Sequence, residues 1–131
     1  MEFYIGGYAQ GKLAYVKEIH KGSKLAVTDG AELSLAGEVK TEAGTCPVID
    51  HFHLWVKRLL KAGKDPDEAA ELLVGRYPDC IVISDETGNG IVPLEKEERE
   101  YRERLGRIQI RLAKGAERVE RVICGIGQRL K

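Results

Sequence analysis

Lys12, Asp50 and Glu86 are the side chains in this sequence whose types and settings suit joint action on a phosphate group. Lys12 ends the run Gly6-Gly7-Tyr8-Ala9-Gln10-Gly11-Lys12-Leu13, which fits G-x-x-x-x-G-K followed by a position that is normally Ser or Thr. Backbone N–H groups of such a turn wrap phosphates, the lysine reaches the outer ones, and the helix that follows adds its positive end. Leu13 stands where a hydroxyl would hold Mg²⁺, so the spacing speaks for phosphate binding more than for phosphoryl transfer. The residues expected to line a nucleotide are therefore Gly6, Gly7, Tyr8, Ala9, Gln10, Gly11, Lys12 and Leu13. Asp50, at the end of an apolar run, is the candidate metal carboxylate, although an aspartate there also suits a helix cap. Glu86 follows a buried strand in a glycine-rich loop, as a contact for a ribose or substrate hydroxyl or as a base. The alternative for Glu86 is an ordinary loop acid. Lys12 and Glu86 are the two candidate catalytic groups.

The elements that must position these residues alternate strand and helix. Phe3-Tyr4-Ile5, Lys24 to Thr28, Cys46 to Ile49, Cys80 to Ser84 and Arg118 to Cys124 read as strands, with Gly125-Ile126-Gly127 beginning a tail. Leu13 to His20 has helical spacing. Phe52, Trp55, Val56, Leu59 and Leu60 form one wide apolar helix face. Asp65-Pro66-Asp67-Glu68 opens another helix that Gly75 is expected to close, and the longest helix covers about residues 95 to 114. The segment between Asp29 and Thr45 reads as a loop or a minor helix. Such alternation implies a mostly parallel sheet with right-handed crossovers, whose ligands lie beyond the carboxyl ends of the strands. Gly6 to Lys12, Asp50 and Asp85-Glu86 all fall at that edge.

A chain of 131 residues is one domain, 1–131, able to bury a core without staples. Lys plus Arg equals Asp plus Glu, so no global charge draws the chain to nucleic acid. No apolar run approaches the ~18 residues of a membrane span, and a cytoplasmic location is expected. Cys46, Cys80 and Cys124 have no C-x-x-C spacing and read as reduced core thiols. His20 lies at a helix end, where the dipole explains it. His51 and His53, two apart at a helix start, are expected to point apart.

Val82-Ile83-Ser84-Asp85-Glu86-Thr87-Gly88-Asn89-Gly90-Ile91-Val92-Pro93 resembles the V-[ST]-N-E-V-G-x-G-I-V-P signature of the bifunctional adenosylcobinamide kinase/adenosylcobinamide-phosphate guanylyltransferase family. Arg99-Glu100-Tyr101-Arg102-Glu103 resembles its R-x-F-R-D, and Leu105-Gly106-Arg107-Ile108-Gln109 its A-G-R-x-N. Gly6 to Leu13 matches G-G-x-R-S-G-K-S, and Ile49-Asp50-His51-Phe52-His53-Leu54-Trp55 matches [VL]-[DE]-C-L-T-L-W. The resemblance implies an α/β, three-layer P-loop NTPase-like fold with a mostly parallel sheet. It also implies a place in cobalamin (vitamin B12) biosynthesis, in which a nucleoside triphosphate phosphorylates adenosylcobinamide and GMP is then transferred. Mg²⁺ with GTP or ATP, adenosylcobinamide as partner, and a homo-oligomer, a trimer, are implied with it. Carried over by position, Gly6, Gly7, Gly11 and Lys12 would hold phosphates, Asp50 the metal, and Glu86 would belong to the site. The chain departs from the pattern at Leu13, at Tyr8-Ala9-Gln10 and at Asp85, which stands for asparagine. Between Thr28 and Asp50 it lacks the family's R-I-x-x-H-x-x-R-P motif, whose histidine accepts GMP. The kinase step is therefore favoured over guanylyl transfer, the alternative being a catalytically impaired nucleotide- or corrinoid-binding regulatory homologue.

Overall fold

The computed structural model describes residues 1–86 and 95–131; the signature residues Thr87 to Pro93, with Leu94, lie outside the described residues. Among the described residues one sheet has the order β2-β3-β4-β1-β5-β6. Its strands are β1 (Glu2–Gly6), β2 (Leu25–Asp29), β3 (Cys46–Asp50), β4 (Ile81–Asp85), β5 (Arg118–Ile123) and β6 (Ile126–Arg129). The first five run parallel and β6 returns antiparallel along β5. The helices are α1 (Lys12–Ile19), α2 (Phe52–Lys61), α3 (Pro66–Arg76) and α4 (Lys96–Gly115).

Strand alternation sets the three layers. Phe3, Ile49, Val82 and Val119 face one side, packed against Phe52, Trp55, Val56 and Leu59 of α2, Leu73 of α3 and Leu105, Ile108 and Leu112 of α4. Tyr4, Val48, Ile81, Ile83 and Val122 face the other, against Val16 of α1. Both faces of the central strands are thus covered, which is why β4 reads as an unbroken apolar run. The segment between β2 and β3 contributes Leu33 and Val39 to the core and is pinned from α2. Arg58 Nη1 donates to Gly30 O (2.8 Å) and Leu33 O (2.6 Å), and Trp55 Nε1 donates to Ser34 O (2.9 Å).

Three local expectations are corrected. Gly75 does not close α3, which runs on to Arg76; it ends because Tyr77 precedes Pro78, whose ring disfavours helical geometry at the residue before it. Asp65 does cap the start, accepting from Asp67 N at 3.0 Å, with Pro66 in the first helical position. The residues after β5 are not a tail but strand β6. Cys124 (φ 51°) and Gly125 (φ 74°) make a tight two-residue turn in which both central residues are left-handed, the geometry that matches strand twist. Finally, only Cys80 is a fully buried thiol, with burial pushing its pKa up to about 11; Cys46 is half-buried and Cys124 exposed on that turn.

Candidate phosphate site at the carboxyl edge of the sheet

The turn from β1 into α1 is the candidate anion cradle. Ala9 (φ 55°) and Gly11 (φ 80°) take left-handed conformations, and Gly11 is the residue from which α1 starts. A Cβ on Gly6 would lie 2.4 Å from Val122 O of the neighbouring strand, so only glycine lets the chain leave β1 at that point. Gly7 begins the turn, and Tyr8 at its tip is 85% exposed. Gln10 anchors the turn to the far end of the sequence: its Oε1 accepts from Cys124 N (2.6 Å) and its O from Gly125 N (2.8 Å). Leu13 offers no polar atom and packs with Val16 on the apolar α1 face.

Lys12 is the centre of the site. Only 7% exposed, it turns back over the loop: Nζ donates to Gly7 O at 2.7 Å and lies 2.7 Å from Asp85 Oδ1. Gly6 and Asp85 are register partners at the ends of β1 and β4, which brings the loop and that carboxylate side by side. On the other flank of Asp85, His53 Nε2 lies 3.4 Å from Oδ2, while His53 Nδ1 accepts from Asp85 N at 3.2 Å. Gln109 Nε2 of α4 donates to Asp85 O at 2.8 Å and to Ser84 Oγ at 3.0 Å.

The two remaining expected site residues lie on opposite sides of this centre, Asp50 on β3 and Glu86 towards β5. Asp50 ends β3 and accepts from His51 N through Oδ1 at 3.0 Å; it does not cap α2, because the cap position is His51 and no side chain accepts from the first turn of that helix. Its Oδ2 lies 3.7 Å from His51 Nδ1, which is also 3.2 Å from Asp29 Oδ1. Glu86 sits on the β5 side, fixed by two hydrogen bonds from Arg121 (Nε to Oε1 2.5 Å, Nη2 to Oε2 3.1 Å), and its N–H donates to Gly6 O at 2.8 Å. Among the described residues no group of three His, Cys, Asp or Glu side chains is arranged to hold a metal on its own. A single carboxylate such as Asp50 suits Mg²⁺ only in the usual form, where phosphates and water fill the other positions.

The histidines depart from expectation. His51 and His53 do not point apart; their rings meet edge-to-face with centroids 5.8 Å apart. His51 is the left-handed cap of α2 (φ 52°, ψ 45°), outside the helix, so helical spacing does not govern its direction. Asp85, His53 and Arg121 are the contacts that spacing alone did not single out. The signal for Asp85 was the alternation Ile81, Ile83, Asp85, which sends its side chain to the α1 side, where Lys12 begins.

Burial holds the His53 pKa below its ordinary 6.5, helped by the charges of His51 and Lys12 and opposed by the carboxylates of Asp85 and Asp50. The unfolded chain therefore binds a proton more readily than the native one. This contribution to stability is complete above pH 6.5 and is lost as pH falls from there through the lowered native value. Urea midpoints at about pH 7 and about pH 5 should differ more for the natural chain than for His53→Asn. Equal slopes would show that the ring does not titrate in this setting.

A family model described as cobinamide kinase / cobinamide phosphate guanyltransferase matches residues 6–130. The bifunctional adenosylcobalamin biosynthesis protein CobP of Pseudomonas aeruginosa is 34% identical over 108 residues, which are 76% of this chain and 62% of that relative. The bifunctional adenosylcobalamin biosynthesis protein CobU of Salmonella typhimurium is 33% identical over 69 residues, 50% of this chain and 38% of that relative. The chain thus spans less than two thirds of the length of these curated relatives. With a match running from the first glycine of the loop to the end of β6, over a mostly parallel α/β sheet, the chain belongs to the cobinamide kinase / cobinamide phosphate guanyltransferase family.

Proposed function

We propose that this chain binds GTP or ATP, brought with Mg²⁺, at residues Gly6 to Leu13 and transfers the terminal phosphoryl group to adenosylcobinamide. The observation that carries the reading is Lys12: a buried ammonium lying over a glycine-rich turn at a helix start, the arrangement that fits the outer phosphates of a nucleotide. In this reading the backbone of Gly7 to Gly11 orients the phosphate chain and Lys12 stabilises charge on the transferred group. Asp50 would hold the Mg²⁺ that arrives with the nucleotide, and the ion would neutralise phosphate charge. Glu86, oriented by Arg121, keeps lone pairs for a hydroxyl of ribose or acceptor, which supports a binding contact more than a base. Kinase chemistry is favoured over guanylyl transfer because the sequence lacks the family's GMP-accepting motif.

A second reading, a nucleotide- or corrinoid-binding homologue without turnover, is favoured by Leu13. Loss of one preorganised contact costs about 10²- to 10³-fold in rate while leaving affinity measurable. Calorimetric titration of GTP and ATP with Mg²⁺ should show Lys12→Ala weakening affinity by about 10²-fold; equal affinities would remove the phosphate-loop reading. Adenosylcobinamide with γ-labelled nucleotide then separates the two. Label transfer by the natural chain supports the kinase, whereas transfer only after Leu13→Ser supports the binder.

A further inference from the structure

A buried ammonium requires a nearby negative charge, because desolvating it alone costs several kcal/mol. In an anion site the ligand normally supplies that charge; here the chain supplies it. Asp85 Oδ1 meets Lys12 Nζ at 2.7 Å, and Lys12 is 7% exposed. The carboxylate is also clamped. His53 Nδ1 accepts from Asp85 N, which puts the proton of the neutral ring on Nε2, facing Asp85 Oδ2 at 3.4 Å. Gln109 holds the Asp85 carbonyl from α4, and the Gly6 pairing fixes the strand beneath it. Asp85 therefore has its backbone and both carboxylate oxygens engaged around the one cation that the loop presents.

We propose that Asp85 is a built-in counter-anion of the loop, so that the site accepts polyphosphate chains and rejects single phosphates. This rests on the reading of Gly6 to Leu13 as a phosphate loop and adds how that loop selects its ligand. A monophosphate offers Lys12 about the charge it already has in Asp85, and its arrival sets two anions against each other. A tripolyphosphate chain brings several charges, contacts the loop amides as well, and recovers the loss of the Asp85 pair through those extra bonds. His53 is a positioning residue in this scheme, acting through Asp85.

The test is calorimetric titration of inorganic phosphate and inorganic tripolyphosphate into the natural chain, Asp85→Asn, His53→Asn and Lys12→Ala. Asp85→Asn should tighten both ligands, phosphate by about tenfold or more and tripolyphosphate by less, so the ratio between them narrows. His53→Asn should move the ratio part of the way, and Lys12→Ala should weaken both ligands. If Asp85→Asn leaves both affinities within about twofold while Lys12→Ala still weakens them, the counter-anion is refuted and the phosphate loop stands. If Lys12→Ala binds as the natural chain does, the loop reading itself falls. Should Asp85→Asn yield too little folded protein, Asp85→Ser removes the same charge and must shift the ratio in the same direction.

Discussion

Trp55→Ala should remove about 3–5 kcal/mol of folding stability, about a fifth or more of what a domain of this size commonly has. The indole is fully buried at the point where α2, the β2–β3 segment and the sheet meet. Its ring packs against Phe52 with centroids 5.8 Å apart, and Gly37, at φ 71°, lies close against it. Truncation opens a cavity and also strips Ser34 O of the indole N–H that it accepts at 2.9 Å. Trp55→Phe keeps most of the volume but not that bond and should lose only about 1–2 kcal/mol. Urea unfolding followed by circular dichroism is the measurement, since the chain has a single tryptophan and the substitution removes the fluorophore. A loss below about 1 kcal/mol for the alanine variant would mean that the β2–β3 segment does not close over α2 as described.

Gly30→Ala should be nearly as damaging, at about 3 kcal/mol, for a different reason. A Cβ there would stand 2.1 Å from His51 O, 2.9 Å from His51 C and 3.2 Å from Asp50 O, all backbone atoms. Gly30 N–H meanwhile donates to Asp50 O at 2.6 Å, tying the ends of β2 and β3 together. No rotamer can relieve a clash with main chain, so the strand ends must separate and the register pair Asp29–Asp50 opens. The same movement parts Asp29 from the His51 ring. Denaturation midpoints read the stability, and the imidazole NMR signals of His51 read the local change. An alanine variant as stable as the natural chain, with an unshifted His51 ring, would contradict the close approach at this strand end.

The sequence made much of this architecture legible where one physical pattern dominated. Phe52, Trp55, Val56 and Leu59 are all buried on α2, as their spacing requires, and the apolar run in β4 is covered on both faces. Lys12 and the glycines around it stand at the strand-to-helix turn because the motif encodes backbone geometry directly. What escaped reading depended on contacts between distant segments or on uncommon turn residues. The pairing of Lys12 with Asp85 spans the register of two strands that are not adjacent in sequence. Strand β6 was hidden because cysteine occupies a left-handed turn position where Asn or Asp is the usual signal. On α4, Glu98 pairs with Arg102 and Glu103 with Arg107 at i,i+4. Arg104, by contrast, reaches across to Asp65 and Asp67 of the α3 start, a tertiary choice that no local spacing announces.

Gln10 is fastened by its side chain and its main chain to residues more than a hundred positions downstream, Cys124 and Gly125. The curvature of the β1–α1 turn is thus shared with the β5–β6 turn, which holds it from the outside. The turn keeps this curvature only while the β5–β6 hairpin is docked against it, so a change that loosens the hairpin also loosens the backbone around Lys12.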